Sequence, residues 1–286
     1  MTYTIKFFTA LVLFSPNLFG QNDTLRLLTW NIFMRPRMVF HDYQLDRARA
    51  IVEELKNDDN EIIVFQEIFD RKARKIITKG LKEQYPYQFG PGKKGLFRLN
   101  SGVMALSKYD VKQRSIKRYK NCKGGDCMAK KSAVFIEIAP NNKSVQIVGT
   151  HLQAGQGTVH KAIRKQQLQK VKKLSDEFYK PDIPMIYAGD MNIRYSDSTS
   201  YDMLLDILDI DLSTVAKDPK STSWDTTFDI SEGRTGNPKK IDYVLLRKGN
   251  SAAKFVKRQV VTYKKELPNG KFNLSDHRAV KAWMVY

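Results

Sequence analysis

The chain has 286 residues, 42% of them hydrophobic, with 49 Lys and Arg against 30 Asp and Glu, a net charge of +19. That length can bury a sizeable core, as one large domain or two small ones. The charge narrows partners to anionic or phosphate-bearing ones, nucleic acid or an anionic membrane surface. Its excess is uneven, since residues 71–131 hold 18 basic side chains against only Glu83, Asp110 and Asp126.

Residues 1–20 read as a cleaved secretory signal peptide. Lys6 precedes the apolar run from Phe7 to Phe14, Pro16 breaks it, and Gly20 offers a small residue before Gln21. The run is too short to cross about 30 Å of hydrocarbon, and no later stretch is apolar enough to span a membrane. Residues 21–286 contain no low-complexity tract or Gly/Ser linker and read as a single domain.

Strand-like apolar runs then follow at 25–33, 62–65, 102–106, 133–138, 145–152, 185–188, 241–246, 255–261 and 279–285. Helical periodicity falls at 45–55, 71–81, 159–178 and 201–208. This alternation predicts a mixed-sheet α/β protein. A strand, helix, strand unit at 25–67 is echoed at 145–192, and each of the four strands ends in a chemically capable residue: Asn31, Glu67, His151, and Asp190 with Asn192. Two packed sheets would bring those ends into one cleft.

Taken singly, each residue has an ordinary reading beside the functional one. Asn31 can simply make a turn, and Glu67 can be an exposed loop acid or a hard oxygen ligand for Mg²⁺. The only cysteines, Cys122 and Cys127, enclose Gly124 and Gly125, so an oxidising compartment would close that loop into a small disulfide. A zinc site would need two more soft ligands, and none are visible. His151, one of 4 histidines, can be a satisfied core residue. Gly189 permits a tight strand exit, and Asp190 and Asn192, two apart, can point the same way. Asp242 enters a strand where it could orient an imidazole. In Ser275-Asp276-His277 an adjacent carboxylate and imidazole can set a metal ligand beside a general base.

The ordered series Thr29-Trp30-Asn31, Gln66-Glu67, Gly149-Thr150-His151, Gly189-Asp190-Met191-Asn192, Ile241-Asp242-Tyr243 and Ser275-Asp276-His277 resembles the DNase I-like endonuclease/exonuclease/phosphatase superfamily. The resemblance spans essentially the whole mature chain. It implies a four-layer α/β sandwich, two packed mixed β-sheets flanked by helices, and divalent-metal-dependent phosphoester hydrolysis. Gly149-Thr150-His151-Leu152-Gln153-Ala154, Arg164-Lys165-Gln166-Gln167-Leu168 and the segment from Cys122 to Lys131 look most like neutral sphingomyelinases, the secreted bacterial enzymes especially.

By that resemblance Glu67 is the central Mg²⁺ ligand, with Asn31 beside it and Asp276 completing the metal region. His277 is the general base and Asp242 orients it. Asp190 and Asn192 align water and phosphate, and His151 binds a nonbridging oxygen. The expected activity is hydrolysis of sphingomyelin, or a related phospholipid at a membrane surface, to ceramide and phosphocholine. The alternatives are an exported nuclease, whose nucleic acid would lie on the basic stretch, and a surface-binding module without turnover. One departure stands out: the segment 222–240 offers only Trp224 and Phe228 where membrane-damaging relatives carry a protruding aromatic hairpin. No sustained heptad asks for a protein partner.

Overall fold

The computed structural model describes residues 23–92, 98–215, 222–228, 230, 236–268 and 270–286, so the signal-peptide reading lies outside the described residues. In chain order the elements are β1 (Thr24–Met34), α1 (Gln44–Lys56), β2 (Ile62–Ile68), α2 (Arg71–Gly80), β3 (Tyr87–Phe89), β4 (Met104–Ser107), β5 (Val111–Arg118), β6 (Ser132–Ile138), β7 (Val145–His151), α3 (Thr158–Asp176), β8 (Met185–Asp190), α4 (Ser198–Leu208), β9 (Asp242–Leu246), β10 (Lys254–Val261) and β11 (Ala279–Val285).

One sheet has the order β10-β11-β1-β2-β4-β3, the other β5-β6-β7-β8-β9. β1 and β2 are parallel, as are β7 and β8, and a helix crosses over within each pair. The internal echo is therefore two βαβ units, one in each sheet.

Side-chain alternation builds three buried layers. In β1, Leu25 and Leu27 face the other sheet with Ile62, Val64, Val134 and Ile147. Leu28, Trp30 and Ile32 point the opposite way, against Ile51 and Leu55 of α1 and Ile77 of α2. On the far side, Phe135, Val148 and Tyr187 meet Leu168 and Leu174 of α3 and Leu204 of α4. Two sheets between two helical layers make the expected four-layer sandwich.

All nine strand-like runs are strands, but β3 and β5 were not anticipated. Both lie at sheet edges, and β5, Val111–Arg118, is polar and largely exposed. β5 sets single apolar residues among Lys, Gln and Arg and β3 has only three residues, so neither leaves an apolar run to read, whereas the edge strand β10 keeps Phe255-Val256 and Val260-Val261. The edge of β9 is covered differently. Ser223 Oγ accepts from Asp242 N–H at 3.0 Å, Arg258 Nε donates to Val244 O at 3.3 Å, and Asp211 N–H donates to Leu246 O at 2.9 Å.

Strand register positions the site. His151 is directly opposite Asp190, and Asp190 is opposite Asp242, so three adjacent strands set these residues side by side. Gly189, with φ +146°, allows the close approach, since a Cβ there would lie 2.0 Å from Thr150 O. We expect Gly189→Ala to cost on the order of 3 kcal/mol or more, because backbone rather than a flexible side chain must yield. Urea unfolding checks this, and a midpoint like that of the wild type would contradict it.

Candidate active site

The ends of five strands, β1, β2, β7, β8 and β9, and the Ser275–His277 loop meet at one edge of the sandwich. Three residues leave their strands with left-handed backbone that is unusual outside glycine: Phe33 (φ 50°), Glu67 (φ 55°) and Asn192 (φ 50°). Local hydrogen bonds hold these turns. Phe33 N–H donates to Asn31 Oδ1 at 3.1 Å, and Asn192 N–H donates to Asp190 Oδ1 at 2.9 Å. Such strain, of order 1–3 kcal/mol each, persists only where surroundings over-determine it.

The loop bearing Asp276 and His277 is fixed from below. Ser275 Oγ donates to Asn31 O at 2.6 Å and accepts from His277 N–H at 3.1 Å, while Trp30 Nε1 donates to His277 O at 3.0 Å. Arg47 of α1, wholly buried, donates to Leu274 O at 3.0 and 2.8 Å and to the carbonyls of Ile32, Phe33 and Asp42. It thus ties the end of β1 to the loop.

At the centre, His277 Nδ1 lies 2.8 Å from Asp242 Oδ2, and its Nε2 faces Asn31 Nδ2 at 3.4 Å and Asp190 Oδ2 at 3.8 Å. Asn31 Nδ2 also donates to Glu67 Oε1 at 3.2 Å and Asp190 Oδ2 at 3.1 Å. Asn31 thus joins the residues of the two sheets. With its amide turned this way it gives nitrogen to the carboxylates, and ligation through Oδ1 requires the amide to turn over. Trp224 Nε1 donates to Asp276 Oδ2 at 3.3 Å. Asn192 lies beside the cluster, its Nδ2 donating to Leu152 O at 3.1 Å.

Burial and like charge set the electrostatics. Burial, then Asp242, raises Asp190 to about 7. Burial, then Asp276, raises Glu67. Burial alone would lower His277, but Asp242, Asp276 and Asp190 outweigh it and raise the imidazole to about 10. His151 goes the other way, pushed well below 6.5 by burial and then by Lys131 and His277.

Lys131 is a residue of the cluster to which sequence reasoning gave no role, because it read there only as a basic charge and as the end of the Cys122–Lys131 segment. It is buried, and its Nζ donates to Asp126 Oδ2 at 2.8 Å, Leu152 O at 2.8 Å and His151 Nε2 at 3.0 Å. An ammonium can only donate, so Nε2 accepts and the proton of neutral His151 sits on Nδ1. Nδ1 is buried with no hydrogen-bond partner, and Nε2 also lies 3.4 Å from Asp190 Oδ2 in the cluster.

Two donor sets could hold a cation. Asp190, Asp242 and His277 place their ligand atoms within 4.8 Å of one another, but there a cation would compete with the hydrogen bonds that already join them. Glu67 and Asp276 offer hard carboxylate oxygens, their mutual repulsion would be relieved by a divalent ion, and Glu67 keeps partial exposure to solvent. The Glu67–Asp276 pair fits Mg²⁺ better.

The raised pKa of His277 has a stability consequence. Its contribution is fully present below 6.5 and is lost as pH rises through about 10. In metal-free protein we expect thermal stability to fall across that window. Asp242→Asn should lower the His277 pKa, read from imidazole NMR titration, and shift the loss of stability to lower pH. An unmoved titration would show that Asp242 does not govern His277.

Residues 28–277 match the endonuclease/exonuclease/phosphatase family. The chain is 29% identical over 259 residues to the sphingomyelinase C of Leptospira interrogans, covering 82% of this chain but only 46% of that relative. It is 27% identical over 269 residues to the phospholipase C of Staphylococcus aureus, covering 85% and 80%. Among solved structures, a beta toxin mutant from Staphylococcus aureus with bound magnesium ions superposes with a TM-score of 0.80 at 22% identity, covering 91% of this chain and 99% of that one. TDP2 of D. rerio complexed with a single strand DNA product gives 0.72 at 15% identity, covering 93% and 100%. Family match and DNase I-like fold agree, and the chain belongs to the endonuclease/exonuclease/phosphatase family.

Proposed function

We propose that this protein is a secreted Mg²⁺-dependent sphingomyelin phosphodiesterase, releasing phosphocholine and ceramide. The coarse class, a phosphodiesterase hydrolase, follows from the family and from relatives named sphingomyelinase C and phospholipase C. The observation that carries the mechanism is the His277–Asp242 pair at 2.8 Å, with the imidazole's other nitrogen turned into the buried cluster that also holds Glu67 and Asp276. Export is supported by the disulfide between Cys122 and Cys127.

In this reading His277 Nε2 takes a proton from water as the water oxygen bonds to phosphorus and the bond to the ceramide oxygen breaks. Asp242 holds the imidazole in the required orientation and stabilises its cation. Asp190, with Asn192 fixed to it, sets the direction of attack. His151 meets a nonbridging phosphate oxygen, its ring held in place by Lys131. Glu67 and Asp276, with Asn31, would hold Mg²⁺, which when bound neutralises charge on the phosphate oxygens. Asp276 is, after Asp242, one of the carboxylates that raise His277, so its engagement with a cation would lower that imidazole toward the range of a general base.

The net charge of +19 and the likeness to TDP2 favour a nuclease as the second reading. Purified protein incubated with Mg²⁺ and either sphingomyelin vesicles or plasmid DNA separates the two. Phosphocholine release without nicking is expected, and nicking without phosphocholine would sink the lipid reading. His277→Ala should lower the rate by roughly 10²–10⁴ with the fold intact by circular dichroism. Mg²⁺ at a hundred times its Kd should raise stability by about 2.7 kcal/mol in the wild type and by far less in Glu67→Gln. Equal stabilisation of both would remove Glu67 as a ligand.

A further inference from the structure

Most exposed apolar side chains among the described residues stand singly, as at Val159, Leu212, Val256 and Phe272, and need no explanation. Met38 and Val39 are consecutive, 93% and 63% exposed. The turn beneath them is tightly built. Arg35 lies over the rings of Phe33 and Phe40, at 4.2 and 4.0 Å, and grips Asp42 with bonds of 2.8 and 2.6 Å. The N–H groups of Val39 and Phe40 donate to Pro36 O at 3.0 Å, Gln44 Nε2 donates to Phe40 O at 2.9 Å, and Arg37 N–H donates to Asp70 Oδ2 at 3.2 Å. Chain order this complete holds two apolar side chains in water, an unfavourable placement unless something covers them.

The turn continues from β1, the strand of Asn31, and its base shares Arg47 with the loop of Asp276 and His277. A second exposed methionine, Met128, tops the turn closed by Cys122 and Cys127. That turn is fastened just past His151, since Asp126 Oδ2 accepts from Ala154 N–H at 2.7 Å. Beside it is a hollow of ≈ 400 Å³ lined in part by Arg98, Arg118, Lys120, Lys130 and Lys131. The first turn therefore springs from a strand end that carries the site, and the second is pinned just past another. By contrast, Trp224 and Phe228 are buried, under Lys239 at 3.9 Å and Arg278 at 4.7 Å, so neither offers an apolar tip.

We infer that the Met38–Val39 tip inserts into the interface of a bilayer bearing anionic lipid, with the basic hollow against its headgroups. This surface seats the active site on its lipid, and its purpose rests on the lipid-directed reading above. Apolar tips flanked by arginines suit the boundary between headgroups and acyl chains, and basic side chains suit the negative surface potential.

Vesicle sedimentation in EDTA tests the surface without any turnover, so a failed activity assay and a failed seat remain distinguishable. The probes are phosphatidylcholine vesicles with and without roughly 30% phosphatidylserine. Wild type should bind the anionic vesicles, and Met38→Ser with Val39→Ser should weaken binding by roughly tenfold or more. Met38→Leu with Val39→Leu should restore it. Arg118→Glu with Lys120→Glu should weaken binding to anionic vesicles and leave the weak binding to neutral ones unchanged. Hydrolysis of a water-soluble phosphodiester should be the same in all four proteins. Serine variants that bind like wild type, or duplex DNA that binds while anionic vesicles do not, would overturn the seat.

Discussion

Four carboxylates, Glu67, Asp190, Asp242 and Asp276, share one largely desolvated space, and the rest of the site is arranged around that crowding. Buried charge is costly unless it is paired and hydrogen-bonded. His277 supplies a cation between three of the four, Asn31 spreads one amide over two of them, and Lys131 and Arg47 add positive charge from the two sides. Glu67 and Asp276 still repel each other, and a divalent ion between them would relieve that repulsion. Crowded negative charge is thus the feature that sets the proton on His277 and that suits the cluster to a divalent ion.

The two histidines show how environment divides labour between identical side chains. Asp242, Asp276 and Asp190 surround His277 and hold a proton on it, whereas burial and Lys131 keep His151 neutral. One cluster thus holds one charged and one neutral imidazole. Around them the protein separates its hydrophobic duties. Trp224 is spent on Asp276, and Met38, Val39 and Met128 are exposed apolar side chains on the two turns that border the site.

Much of this was legible in the chain. The long apolar runs marked the interior strands because those are covered on both faces, and six short motifs in order marked the strand ends that converge. The edge strands β3 and β5 were not legible, since half-covered polar strands carry no distinctive run. Lys131 and Arg47 were missed for a related reason. A basic residue in a basic chain looks like surface until neighbours from distant segments bury it: Lys131 under Leu152 and His151, Arg47 under Leu274.

The sequence by itself determined which chemical groups exist and on which strand ends they sit, because side-chain alternation and the glycine at 189 are local properties. Only the tertiary structure decided their charge states and partners. The register that sets His151 beside Asp190 and Asp190 beside Asp242, and the packing that drives water from among them, act between residues far apart in the chain. Electrostatic coupling depends on distance and burial, and neither is a property of a residue in isolation.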